Sequence, residues 1–162
     1  MKRAIICDID GCLVDTDWIW EEVERQNMEG LQMWEFFNKN ANDLTKSKPQ
    51  QLLINRLQTN AEVIFSTARS ETIRKETREM LEKIMQGKEF ILMMRPEKCF
   101  DSSEAVKEAH LMEILKNYEV ACAIDNEKEN CNMYRRHGLV VMQIDLTKEK
   151  TQNNEILQAC MA

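Results

Sequence analysis

Five short apolar runs, at residues 4–7, 62–67, 89–94, 120–125 and 139–144, are separated by stretches in which apolar residues recur at helical spacing. That alternation restricts the chain to an α/β architecture. The runs are rich in β-branched residues and are not apolar on one side only, as expected of parallel strands covered by helices on both faces. We therefore expect a doubly wound parallel sheet, with residues 1–162 forming a single domain. Only residues 16–61 hold more than one helix between successive strands, so they are expected to form a small helical insert. No segment is long enough for a large cap domain. With 4 glycines and 2 prolines in 162 residues, collagen-like and linker-like readings fail.

Local signals set the expected boundaries. Trp18, Ile19, Val23, Leu31, Trp34 and Phe37 fall at near-helical spacing, and Ser47-Lys48-Pro49 reads as the start of a further helix carrying Leu52 to Leu57. A helix is expected from Ser70 to Gln86 with Gly87 as its stop, and another capped by Ser102 or Ser103. A short helix should end at His137, stopped by Gly138, and a weak helix should close the chain.

No apolar run approaches the roughly 18 residues of a membrane span. The apolar stretch after Lys2-Arg3 is broken by Asp8 and Asp10, too early for a secretory h-region of about 7–15 residues, so a cytoplasmic location is expected. The six cysteines form no C-x-x-C pair, which favours free thiols over disulfides or a zinc site. Lys and Arg number 22 against 28 Asp and Glu, a net charge of −6, which does not favour nonspecific binding to a polyanion. Residues 69–78 could still form a locally basic surface through Arg69, Arg74, Lys75 and Arg78.

In a doubly wound sheet the ligand site lies beyond the carboxyl ends of the strands. Asp8 and Asp10 follow the first run, Thr67 and Arg69 the second, Arg95 the third, and Asp125 and Asn126 the fourth; Lys107 lies early in the helix after the third. Carboxylates clustered in this way repel unless a hard cation joins them, and Mg²⁺ takes one or two carboxylates, waters and a phosphate oxygen. One carboxylate can attack phosphorus while a second protonates the leaving oxygen and then activates water. Hydroxyl, Lys and Arg donors would hold the remaining oxygens.

Asp8-Ile9-Asp10-Gly11-Cys12-Leu13-Val14-Asp15 resembles the D-x-D-G-x-L-x-D first motif of the haloacid dehalogenase superfamily, whose fold is Rossmann-like, with Cys12 where Thr or Val is usual. Ser66-Thr67-Ala68-Arg69, Lys107 and Asp125-Asn126 resemble the second, third and fourth motifs, in order. The resemblance implies a Mg²⁺-dependent phosphatase in which Asp8 is the nucleophile and a metal ligand, and Asp10 the general acid/base that also meets the metal through its carbonyl. It implies that Thr67 and Lys107 hold the phosphoryl group and that Asp125 supports the lysine or the metal. Asn126 stands where many members carry a second acid that ligates the metal, which implies weaker metal affinity.

The stretches around Thr67, Arg95, Lys107 and Asp125, with Met133 through Leu139, are further similar to the phosphatase domain of polynucleotide kinase/phosphatase proteins. This implies that Arg69 and Arg95 assist phosphate or substrate binding, and that the substrate carries a terminal, 3′ phosphate on a nucleic acid or nucleotide. The chain departs from the family at Ser103, where an acid is expected, and has no G-x-x-x-x-G-K-[ST] kinase loop. A general small-molecule phosphatase or nucleotidase is the alternative. A noncatalytic phosphate-binding module and a receiver domain are weaker readings, the latter because the second run ends in Ser-Thr where a receiver carries its acid on a middle strand. No membrane and no protein partner is implied. His110, His137 and the Trp18, Trp20, Trp34 group are read as structural, with base stacking open for the tryptophans.

Overall fold

A computed structural model describes residues 1–146. Five strands, β1 (Lys2–Cys7), β2 (Glu62–Ser70), β3 (Phe90–Arg95), β4 (Tyr118–Asp125) and β5 (Val141–Gln143), form one parallel sheet in the order β3-β2-β1-β4-β5. The expected α/β doubly wound class is therefore the observed one. Six helices accompany the strands: α1 (Asp17–Arg25), α2 (Gly30–Ala41), α3 (Gln51–Leu57), α4 (Arg74–Met85), α5 (Ser103–Ile114) and α6 (Lys128–Arg136). The expected closing helix lies outside the described residues.

Strand alternation divides the core into two layers. Cys7, Val63 and Phe65 face one side, where Leu53, Ile54 and Leu57 of α3 and Met80, Leu81, Ile84 and Met85 of α4 cover them. Ala4, Ile6 and Ile64 face the other, under Leu111 and Ile114 of α5 and Met133 and Tyr134 of α6. Burying each such side chain contributes about 1.5–3 kcal/mol, and both faces are apolar because both are covered. A third cluster, Ile19, Val23, Met28, Phe37 and Ala41, joins α1 to α2 and is separate from the sheet layers.

Three boundaries differ from expectation. Ser47 and Pro49 do not open a helix: Ser47 is buried, its hydroxyl donates to the Asn40 carbonyl at 3.0 Å and accepts from the Trp18 indole at 3.3 Å, and Pro49 forms an antiparallel bridge with Val14. The helix starts only at Gln51, because those tertiary bonds win over the local cap. Residues 70–73 are not α-helical either. β2 continues to Ser70, whose hydroxyl accepts from the Thr72 amide at 3.2 Å and caps a 3₁₀ turn over Glu71–Ile73. Finally, α4 ends one residue earlier than expected, at Met85: Gln86 is its left-handed cap, and Gly87 follows at φ +90° as the stop. Ser102, by contrast, caps α5 as read, accepting from the Ala105 amide at 3.1 Å. The five described cysteines are free.

Candidate active site

Sheet order reverses beside β1, between β2 on one side and β4 on the other, and this is where a doubly wound sheet opens a crevice. The Asp8 amide still donates to the Ile124 carbonyl at 2.9 Å, so the β1–β4 ladder carries Asp8 to the crevice mouth. The chain then turns tightly: the Ile9 carbonyl accepts from Leu13 and Val14 at 2.9 and 3.0 Å. Gly11 makes that turn at φ +68°, and a Cβ there would stand 2.5 Å from the Asn126 amide nitrogen and 2.9 Å from an Asp17 oxygen. Only glycine fits, because the first and fourth motifs meet across it.

Lys107, 2 % exposed, projects from α5 between two carboxylates, 2.8 Å from Asp8 Oδ1 and 2.6 Å from Asp125 Oδ2. Burial alone would lower its pKa, but Asp8 and Asp125 outweigh burial and raise it, so the ammonium stays charged. Burial pushes the Asp8 carboxyl well above the usual carboxylate range, with Asp125 and Asp10 adding to the rise and Lys107 opposing it. With both acids ionised this buried trio would carry one negative charge in excess, which the raised Asp8 pKa reflects and a bound cation would offset. Asp125 is fully committed: its second oxygen accepts from the Glu127 amide at 3.0 Å and the Asn130 amide group at 3.2 Å. Asn130 also donates to Ser103, the residue standing where an acid was expected.

Arg69, nearly as buried, closes on Asp10 with both arms, Nε to Oδ2 at 2.8 Å and Nη2 to Oδ1 at 2.7 Å. Its remaining nitrogen donates to Asn42 Oδ1 at 2.7 Å and Thr77 Oγ1 at 3.4 Å, and the guanidinium lies 5.6 Å from the centre of the Phe37 ring. Thr67 is buried beside it, with its hydroxyl accepting from the Arg69 amide at 3.1 Å. Arg95 donates to the Ala68 carbonyl at 2.9 Å and to the carbonyls of Cys99 and Asp101, so it pins the 96–101 loop to the end of β2. Asp8, Asp10, Thr67, Arg69, Arg95, Lys107 and Asn126 line one cavity of about 370 Å³. Asp125 stands behind Lys107, below the cavity surface.

The donor set suits a hard divalent cation. Asn126 Oδ1 is buried with no hydrogen-bond partner, although an amide oxygen is a strong acceptor. It shares the cavity with the Asp8 carboxylate. Among the described residues no group of three or more His, Cys, Asp or Glu side chains is disposed to hold a metal. One carboxylate, an amide oxygen and a main-chain carbonyl are what Mg²⁺ accepts, with waters and a phosphate oxygen completing its shell. Asp17, missed in the sequence, lines the same cavity; burial, then the nearby acids Asp15 and Asp145, raises its pKa. Trp20, Trp34 and Phe37 line the same cavity. Asn42, Thr77 and Asn130 carry no sequence signal, since each is a lone polar residue that matters only through a distant partner.

The family described as the polynucleotide kinase PNKP phosphatase domain matches residues 2–148. The chain belongs to that family. It is a haloacid dehalogenase-type phosphatase domain, a hydrolase of phosphate esters. No curated protein sequence matches this chain significantly. Among solved structures, a chain of the Pnkp1/Rnl/Hen1 RNA repair complex superposes with a TM-score of 0.67 at 19 % identity, over 90 % of this chain and 43 % of that one. The domain thus spans less than half of that relative. A haloacid dehalogenase-like hydrolase from Streptococcus pneumoniae superposes at 0.64 with 11 % identity, covering 97 % and 91 % of the two chains. CbbY from Rhodobacter sphaeroides, in complex with phosphate, gives 0.53 at 11 % identity, over 91 % of this chain and 89 % of its own. At these identities the superpositions establish the shared fold. No helix among the described residues is long and apolar enough to cross a membrane.

Proposed function

We propose that this domain is a Mg²⁺-dependent phosphomonoesterase that removes a terminal 3′ phosphate from a nucleic acid or nucleotide through an aspartyl-phosphate on Asp8. The observation that carries the reading is the Lys107 ammonium, 2.8 Å from Asp8 at the wall of a cavity that also holds Thr67 and Asp10. A phosphoryl group seated there meets a nucleophile and two donors at once. The polynucleotide character is supported by the family match and by the fold shared with a chain of an RNA repair complex.

In the first step an Asp8 carboxylate oxygen attacks phosphorus, the P–O bond to the leaving group breaks, and Asp10 gives that oxygen its proton. In the second, Asp10 takes a proton from water as the water oxygen attacks the same phosphorus and releases Asp8. The sum is ester plus water giving alcohol and inorganic phosphate. General acid–base help of this kind contributes about 10²–10⁴-fold. Lys107 and Thr67 hold phosphoryl oxygens, Asp125 keeps Lys107 in place, and Arg69 orients Asp10 through a two-armed pair that leaves lone pairs on each oxygen for the reacting proton. Arg95 assists by fixing the loop at the cavity rim. Mg²⁺, when bound by Asp8, Asn126 and the Asp10 carbonyl, supplies charge neutralisation for the phosphate.

The test is a panel assayed with Mg²⁺: a 3′-phosphorylated oligonucleotide, nucleoside monophosphates and a simple phosphate ester, with Asp8→Asn as control. Turnover of the oligonucleotide that Asp8→Asn abolishes supports the proposal. Turnover of small esters alone would make the domain a small-molecule phosphatase.

A further inference from the structure

Beside the catalytic cavity lies a second one of about 560 Å³, and the two share Trp34, Phe37, Ala68, Arg69 and Arg95. Its volume is within the range of roughly 300–1,000 Å³ typical of sites for small organic ligands. Its walls are apolar and exposed: Leu31 is 75 %, Trp34 51 % and Phe100 95 % accessible. Large apolar side chains at such exposure, gathered around one groove, mark a binding surface. The Phe100 loop is fixed as well, since Arg95 donates to the carbonyls of Cys99 and Asp101 on either side of that ring.

Electrostatics around the site call for such a groove. Of the four cations in residues 69–78, Arg69 is paired with Asp10, Arg74 with Glu71 at 2.6 Å and Arg78 with Glu82 at 3.6 Å. The basic surface expected from sequence is therefore largely neutralised, and the whole chain carries −6. A phosphorylated polymer would gain little here from phosphate contacts to lysine and arginine, so affinity must come from another source. Aromatic faces supply it, because every base has a π-face and stacking tolerates any sequence.

Resting on the reading of the substrate as a 3′-phosphorylated nucleic-acid end, we propose that the Trp34–Phe100 groove holds the base of the nucleotide whose phosphate enters the catalytic cavity. The shared wall sets the connection: a phosphate at Thr67 and Lys107 leaves its nucleoside at the Ala68–Arg95 rim, where the groove begins. Trp34 supplies one stacking face and Phe100 a second, and Lys98 also lines the groove.

The experiment compares two 3′-phosphorylated oligonucleotides with the same backbone, one carrying a terminal base and one abasic at that position, with glycerol phosphate and a phosphotyrosine peptide alongside. For the wild-type chain kcat/KM should favour the base-bearing end by about tenfold or more. Trp34→Ala and Phe100→Ala should each remove most of that preference, and Trp34→Phe should retain it. Because each variant is judged by a ratio on two substrates, partial misfolding does not imitate the result. Turnover of both ends with no preference, or a preference untouched by either variant, would overturn the groove assignment alone. Hydrolysis of glycerol phosphate with neither oligonucleotide turned over would overturn the proposed substrate and this inference with it. A variant effect confined to the phosphotyrosine peptide would assign the groove to a peptide and contradict the proposal.

Discussion

Arg69 holds both carboxylate oxygens of Asp10, at 2.8 and 2.7 Å, and is itself held by Asn42 and Thr77. The pair links the end of β2 to the turn after β1 and ties in the C-terminal end of α2. A lysine cannot reproduce this, since it has one point charge and no fork. Arg69→Ala should therefore lower kcat/KM by about 100-fold or more, as expected when a general acid/base loses its orientation. It should also destabilise the fold by about 3 kcal/mol through the unpaired acid left behind. Arg69→Lys should restore most of the stability and little of the rate, with kinetics and denaturant midpoints separating the two effects.

Lys107 is the sole cation within reach of Asp8 and Asp125 in the described contacts. Lys107→Met leaves two buried acids facing each other and should cost about 3–5 kcal/mol, measured by urea denaturation. Adding Asp125→Asn to that variant removes one of the stranded charges. Part of the lost stability should return, so the double-mutant cycle should be strongly non-additive. Additive losses would mean that the three groups are not one unit.

Asn126 and Gly11 test the cation site without an assay of turnover. Asn126→Asp adds a charged oxygen where the amide oxygen has no partner, and should tighten Mg²⁺ binding by roughly tenfold in calorimetry. Gly11→Ala places a Cβ 2.5 Å from the Asn126 amide at a positive φ, so Asn126 must shift. Its Mg²⁺ affinity should fall.

A buried histidine gives a pH dependence. His110 Nε2 lies 3.1 Å from the Met94 carbonyl, which can only accept, so that nitrogen carries the proton and Nδ1 accepts from the Ser66 hydroxyl at 2.8 Å. Burial lowers its pKa below the ordinary 6.5. The unfolded chain therefore takes up a proton that the folded chain refuses. The stabilisation is complete above pH 6.5 and is lost as pH falls through the window between that value and the folded pKa. His110→Gln should flatten this part of the stability profile in thermal melts followed from pH 7.5 downwards.

Much of this was legible in the sequence, and the reason is locality. The Asp8-x-Asp10-Gly11 turn and the strand–helix alternation are written in neighbouring residues, and sheet topology then brings separate strand ends together. Ser47 and Pro49 look like a helix start by local rules, but their placement depends on Asn40, Trp18 and Val14, which no local cap rule can see. The Arg69–Asp10 fork joins residues 59 apart and could not be distinguished from a phosphate-facing arginine by spacing alone. The groove was invisible for a similar reason: Trp34 and Phe100 sit on different elements, and only the Arg95-pinned loop brings them to one cavity.

The central claim is that phosphoryl transfer passes through Asp8. The most direct measurement is rapid quenching of the wild-type chain with a 3′-³²P-phosphorylated oligonucleotide and Mg²⁺, followed by borohydride reduction of half the sample and peptide mapping. The account predicts transient ³²P on the peptide containing residue 8 in the unreduced half of the quenched sample, homoserine at that position with the ³²P released in the borohydride-treated half, and neither in Asp8→Asn. Full turnover with no covalent label, or label on another residue, would contradict it.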